Sequence, residues 1–191
     1  EVVVGSFYEQ FGSGLIYRSY EDRNLGFDNA TRGIKVKGQL YKGITLTGVL
    51  GRQRNLFEYS GQLRGMDADI SFNELFDKIE GSNLRIGMGG SFMSKYEADN
   101  DAVYRLPENV AAVAARANVG YKHFNLNGEY AYKINDPMAL NNMIYKPGNA
   151  LLLTASYAKK GLGIFVTGLR TDNFDFRSNR SALSNNYMIN Y

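Results

Sequence analysis

Cysteine and tryptophan are missing from the 191 residues, histidine occurs once and proline three times. Without cysteine there is no disulfide framework, no thiol nucleophile and no thiolate-held metal. No Pro/Ser-rich linker and no block of like charge divides the chain, so it reads as one unit over 1–191. No apolar run approaches the roughly twenty residues that a membrane-crossing helix needs, which excludes a helical membrane protein. The formal charge is only +3 and is dispersed. No basic stripe carries interleaved stacking aromatics, which argues against nucleic acid as a partner. The opening residues EVVVGSFYEQF hold no basic region, apolar core or cleavage site. The chain is therefore expected to be either mature or an excised part of something longer.

What the sequence does hold is alternation. Stretches of about ten residues in which apolar side chains alternate with polar or small ones are joined by connections that are in turn very short and long. In RGIKVKGQL, Ile34, Val36 and Leu40 share one face, and Lys35, Lys37 and Gln39 the other. ITLTGVLGRQR sets Ile44, Leu46 and Leu50 against Thr45, Thr47 and Gln53, with Val49 and Arg52 breaking the pattern. LRIGMGGSFMSKY sets Leu84, Ile86, Met88 and Phe92 against Arg85, Gly87, Gly89, Ser91 and Lys95. FNLNGEYAYKI sets Leu126, Tyr130, Tyr132 and Ile134 against Asn127, Glu129 and Lys133. A hairpin follows with Leu151, Leu153 and Tyr157 on one arm and Leu162, Ile164 and Val166 on the other. The short connections are Tyr41-Lys42-Gly43, Phe76 to Asn83, His123-Phe124-Asn125 and Lys159-Lys160-Gly161. The long ones are polar and rich in Asp, Asn, Arg and Tyr.

This pattern predicts an all-β, antiparallel, up-and-down transmembrane β-barrel with about ten strands visible. The mean hydropathy of −0.33 suits such a wall, since only one face of each strand meets lipid. Glycines inside the strands (Gly38, Gly48, Gly87, Gly89, Gly90, Gly128, Gly163 and Gly168) let a sheet bend and leave room for long inward side chains. Tyrosines at strand ends, namely Tyr17, Tyr20, Tyr41, Tyr96, Tyr104, Tyr121 and Tyr145, suit a membrane interface. Two stretches run against the pattern. ENVAAVAARANVGY has helix propensity with Asn109 as a cap, yet it is read as a strand, because the hairpin period requires one and Val113, Val119 and Tyr121 share a face. SFNELFDKIEGSN predicts a short helical turn over ELFDKI capped by Asn73.

SFYEQFGSGLIYRSYEDRNLGFDNATRG, KGITLTGVLGRQR, LPENVAAVAARANVGYKHFNLNGEYAYKINDP, YKPGNALLLTASYAKKGLGI and FRSNRSALSNNYMINY together resemble Bacteroidota outer-membrane barrel proteins grouped as a domain of unknown function. The resemblance spans nearly the whole chain and implies a barrel in the bacterial outer membrane, without an assigned activity. Members of that group are longer, so the chain resembles an interior fragment of a larger barrel. NNYMINY ends in strand-like sequence, as a truncated chain would. Yet Tyr187, Ile189 and Tyr191 alternate and finish on an aromatic, as the last strand of a complete barrel does.

Catalytic chemistry is not evident. His123 falls in a tight turn with no nucleophile beside it, and no nucleophile elbow or glycine-rich phosphate loop occurs. Glu97, Asp99 and Asp101 offer oxygen ligands at alternate positions, and Glu21, Asp22, Asp28 and Asn29 form a second acidic group. Neither has the glycine and terminal glutamate of a calcium loop, so they are read as solvated loops pairing with Arg18, Arg23, Arg32 and Arg105 or with ions among lipid headgroups. The lumen-facing candidates are Lys35, Lys37, Arg85, Lys95, Glu129 and Lys133. In an open interior they set the field for a solute, and in a filled one they form a satisfied ion-pair network. Arg18, Arg52 and Arg54 lie near outer ends, where lipid phosphates are within reach.

The leading expectation is a non-enzymatic outer-membrane barrel, porin-like in transport or a surface scaffold. Its partners would be the lipid bilayer, lipopolysaccharide and other outer-membrane proteins, with no cofactor and no metal. The alternatives are a plugged structural or secretion-associated subunit and a soluble β-rich carbohydrate-binding module.

Overall fold

Alternation at period two is what a strand needs to present two unlike faces, and it dictates nearly all the regular structure. The computed structural model describes residues 1–55, 58–76, 81–99, 101, 103–183 and 185–190. The strands are β1 (Val2–Phe7), β2 (Glu21–Asp22), β3 (Phe27–Asp28), β4 (Thr31–Tyr41), β5 (Ile44–Asn55), β6 (Glu58–Ser71), β7 (Leu84–Tyr96), β8 (Asn109–Tyr121), β9 (Phe124–Lys133), β10 (Gly148–Lys159) and β11 (Leu162–Asp172). Nine of them, all but β2 and β3, form one antiparallel sheet whose strand order is the chain order, an up-and-down meander. β2 and β3 make a separate two-stranded pair. No described helix is long and apolar enough to cross a membrane.

Two expectations about the sheet need correction. The sheet holds nine strands and is open, since β1 and β11 are its free edges and do not pair with each other. The stretch NNYMINY supplies no tenth strand. Asn185–Tyr187 is a 3-10 turn, Met188 makes an isolated bridge to Arg177, and Ile189 is buried. Its alternation serves packing against the sheet rather than extension of it; Tyr191 lies outside the described residues.

Two tight connections fall where the sequence placed them, with Gly43 and Gly161 in the left-handed region that a two-residue hairpin turn requires. The one expected at His123-Phe124-Asn125 turns instead at Lys122 and His123, with Phe124 and Asn125 already in β9, and the one from Phe76 to Asn83 lies partly outside the described residues. Between β6 and β7 the chain makes a four-residue helix, α1 (Phe72–Leu75). The expected cap is not one. Asn73 sits inside α1, where its amide donates to Leu84 O at 2.6 Å and its carbonyl accepts Ile86 N–H at 2.8 Å, so it ties the turn to β7. Ser71 occupies the cap position without a side-chain bond, and the rest of the expected ELFDKI turn, from 77, lies outside the described residues. ENVAAVAARANVGY is a strand from its second residue on, paired with β7 from Asn109 to Tyr121. Pairing on both sides overrides the helix propensity of alanine there.

The register divides the sheet into two unlike faces. On one, rows run across the strands as Val2–Val36–Gly48–Met66–Phe92–Val113–Tyr132 and Gly38–Leu46–Ala68–Gly90–Ala115–Tyr130–Leu151. This face is bare, and Val2, Val4, Val36, Met66, Met88, Val113, Leu126 and Val166 are all exposed on it. The other face carries Lys35, Thr47, Asp67, Ser91, Lys95, Glu129 and Lys133, all buried. Toward the long-loop end it is covered by residues 8–20, 173–183 and 185–190.

Candidate functional site

The covering segments are polar overall, but each brings a few apolar side chains to the inner face. Phe11, Leu15, Ile16 and Tyr17 come from the first, and Phe174, Phe176 and Ile189 from the second. They pack on Val49, Leu63, Met93, Val110 and the small residues Ala112, Ala114, Ala131 and Ala150. Small residues on the wall make the space. A Cβ on Gly65 would lie 2.8 Å from the Phe11 ring and 2.5 Å from the end of Met93. The segments also bond to each other, through Arg18 N–H to Ile189 O at 2.8 Å, and the second is folded on itself by Ile189 N–H to Phe176 O, also 2.8 Å. Tyr17, expected at a membrane interface, is instead buried under this cover, its hydroxyl 2.7 Å from Thr31 Oγ1.

Four of the six candidate residues hold the cover in place. Lys95 and Lys133 have no exposed surface, and Asp136 between them has 1 %. Lys95 Nζ lies 2.9 Å from Asp136 Oδ1 and donates to Arg177 O at 2.7 Å. Lys133 Nζ lies 3.3 Å from Asp136 Oδ2 and donates to Asp175 O. Two ammonium groups thus share one carboxylate and use backbone carbonyls of the cover as their remaining acceptors. A buried charge is tolerated only with such partners. Glu129 does the same for the first segment, accepting Ser13 N–H at 2.8 Å. Gly12 passes so close that a Cβ there would lie 2.6 Å from Glu129 Oε2. Lys35 pairs with Glu1 at 3.0 Å and Glu9 at 3.3 Å.

The remaining two stand apart. Lys37 shares the register of Lys35 but is exposed. Arg85, also exposed, donates to Asn125 Oδ1 at 3.1 Å near the short-turn end. Arg85 lines a cavity of about 890 Å³ together with Asp69, Arg116, Asn118, Asn127 and Glu129. Arg116 is a residue the sequence reading missed. It bonds Asp67 at 2.8 Å and Asp69 at 2.6 Å, and donates also to Ser91 Oγ at 2.7 Å and Ala68 O at 3.3 Å. The signals were there, in a single charge inside the alanine run of β8 and two aspartates at alternate positions of β6. Asp136 was also missed, because it lies past the end of β9 in a stretch read only as a loop.

The acidic groups have protein partners. Glu97 pairs with Arg180 at 3.2 Å, Asp99 accepts Leu106 N–H at 3.1 Å, and Asp101 accepts Val103 and Tyr104 N–H at 2.7 and 2.9 Å. These two amides hold the Asp101 carboxyl below the usual carboxylate range. In the other group Glu21 pairs with Arg23 at 3.0 Å and Asp28 with Arg54 at 3.3 Å. No cluster of metal-ligating side chains occurs among the described residues.

Fold and site together define an antiparallel meander turned inside out, with ionic groups buried under the chain's own segments and apolar side chains left bare. The chain belongs to the family of unknown function DUF6029, whose sequence model matches residues 1–191. No curated protein and no solved structure matches it.

Proposed function

We propose that this chain is a wall segment of a non-enzymatic outer-membrane β-barrel whose interior is filled at the long-loop end by its own chain. One observation carries the reading: the bare face is apolar from β1 to β11, while the covered face, beside its apolar core, buries the charges of Lys35, Asp67, Lys95, Glu129 and Lys133, an arrangement unlike that of a soluble sheet protein. On β8 the bare face runs from Ala111 to Tyr121. Ten strand steps make about 33 Å, or about 25 Å at a barrel tilt near 40°, the height of a transmembrane apolar band. Tyr121, Phe124 and Tyr157 gather at the short-turn end of that band, with ring centroids of the last two 4.6 Å apart. Tyr59 and Tyr132 lie toward the other end. Aromatic belts at both limits are what two membrane interfaces select.

The resemblance to Bacteroidota outer-membrane barrels supports the same location. β11 is exposed on both faces, with Phe165 at 71 % on the side that elsewhere is covered, which fits an edge continued by further wall. The filled interior favours a structural or scaffold role, alone or with other outer-membrane proteins, over a porin-like passage. The test is fractionation of the native protein. It is expected with the outer membrane, released only by detergent, at an intact mass above 21.4 kDa. A freely soluble protein of that mass would overturn the membrane reading and favour a carbohydrate-binding module.

A further inference from the structure

The bare face carries little charge, and three of its cations stand together. Arg32 on β4 and Arg52 on β5 are directly opposed partners in the ladder, and Gln62 on β6 continues the row. Arg64, two residues on along β6, lies in the next row opposite Leu50. All three arginines are exposed. Directly opposed like charges destabilise a sheet, and side chains of opposed residues are close neighbours. No carboxylate pairs with any of the three among the described residues. Arg32 donates to the Tyr59 hydroxyl at 3.2 Å and its guanidinium lies 5.3 Å from that ring, while Arg64 donates to Gln62 Oε1 at 3.2 Å. Arg52 has no hydrogen-bond or ion-pair partner among the described residues.

The backbone shapes the spot. The β5–β6 register shifts between Arg52 and Gln53, with Gly61 at φ +43° as the extra residue, a bulge of the kind that re-aims a side chain. Arg32, Gly51, Arg52, Tyr59 and Gln62 line a depression of about 410 Å³. Of the three arginines that the sequence placed near lipid phosphates, Arg54 pairs with Asp28 and Arg18 lies over the Tyr20 ring at 4.5 Å. Arg52 alone of them faces outward uncommitted.

We infer that Arg32, Arg52 and Arg64, with Tyr59 as a supporting ring, form a binding site for the phosphate of a lipid headgroup, that of lipopolysaccharide in the outer leaflet. A guanidinium matches phosphate through paired N–H donors, and the anion would relieve the Arg32–Arg52 repulsion. The site lies at the long-loop end, the outward end of a barrel, just above the apolar rows that begin at Ile34 and Leu50. The inference rests on the membrane reading.

The experiment uses the detergent-purified full-length protein and native mass spectrometry with diphosphoryl lipid A, its dephosphorylated form and inorganic phosphate as probes. Wild type is expected to bind the phosphorylated lipid at least about tenfold more tightly than the dephosphorylated one. Arg32→Gln with Arg52→Gln should abolish that preference, and Arg170→Gln, an exposed bare-face charge on β11, should leave it unchanged. If the double variant does not fold, Arg52→Gln alone serves, since that side chain holds nothing else in place. Equal binding of both lipids by wild type, or an unchanged preference in the variants, would overturn the site. Competition by inorganic phosphate at the lipid's own concentration would reassign it to a free anion and overturn the lipid assignment. Insertion of wild type into zwitterionic phospholipid vesicles is read in parallel. Insertion without phosphate preference defeats this inference alone, and absence of insertion defeats the membrane reading beneath it.

Discussion

Asp136 is the residue on which most of the buried charge depends. It faces two fully buried ammonium groups, so Asp136→Asn leaves Lys95 and Lys133 to repel each other without the carboxylate they share. The expected loss is about 3–5 kcal/mol, measured as a lower denaturant midpoint in detergent. Replacing all three by apolar residues of similar volume should recover most of it, because the desolvation cost disappears with the charges. Asp101 presents the exposed counterpart. Its carboxyl is held below its ordinary value by two backbone amides, so its contribution is complete above the unfolded value and is lost as pH falls through the lowered folded value. Hydrogen exchange at Val103 and Tyr104 should accelerate only below the ordinary carboxylate range. Unchanged protection there would show that the turn stands without the charge.

At the scale of elements, the small residues of β7 explain how β8 carries a long cation on the covered face. A Cβ on Gly89 would lie 2.5 Å from the Arg116 guanidinium carbon, and one on Gly87 would lie 2.3 Å from Asn118 Oδ1. Gly89→Val should therefore push Arg116 off Asp67 and Asp69 at a cost on the order of 3 kcal/mol. A Gly89→Val midpoint equal to wild type would refute this packing. The strands and their faces were legible because period-two alternation is a local property. Lys35, Lys95, Glu129 and Lys133 could be assigned a face from their neighbours alone. What covers that face was not legible. Phe11, Ile16, Phe174 and Phe176 lie in stretches whose average is polar, and their burial depends on distant strands, as Phe11 lies over Gly65 and Phe176 beside Lys95. The closing NNYMINY alternates like a strand because Ile189 and Asn190 also need opposite surroundings, one apolar and one bonded to Phe174 O and Phe176 N–H. Arg116 could have been weighed as a lone charge among alanines, but its pairing with Asp67 and Asp69 required the register.

For the whole molecule, the two faces make opposite demands on the solvent, and a single substitution separates them. Ala117 stands mid-band on the bare face, opposite Met88. Ala117→Lys should cost about 2–4 kcal/mol when the protein refolds into a bilayer. In a water-facing sheet the same change at an exposed position would shift stability by less than about 0.5 kcal/mol. Refolding titrations into lipid vesicles distinguish the two. The meeting of the covering segments bears on the molecule's integrity. Residues 8–20 and 173–190 are bonded to each other beneath the sheet, and the second is also fastened to β7 through Lys95 and to Glu97 through Arg180. A cut in the hairpin turn between Lys160 and Gly161 would therefore sever the chain without releasing either piece. The ladder of β10 with β11 and these inner fastenings remain, so a nicked protein is expected to migrate as one particle in native electrophoresis and to separate only on denaturation. Pieces 1–160 and 161–191, made apart, would be the two halves of a self-assembling pair.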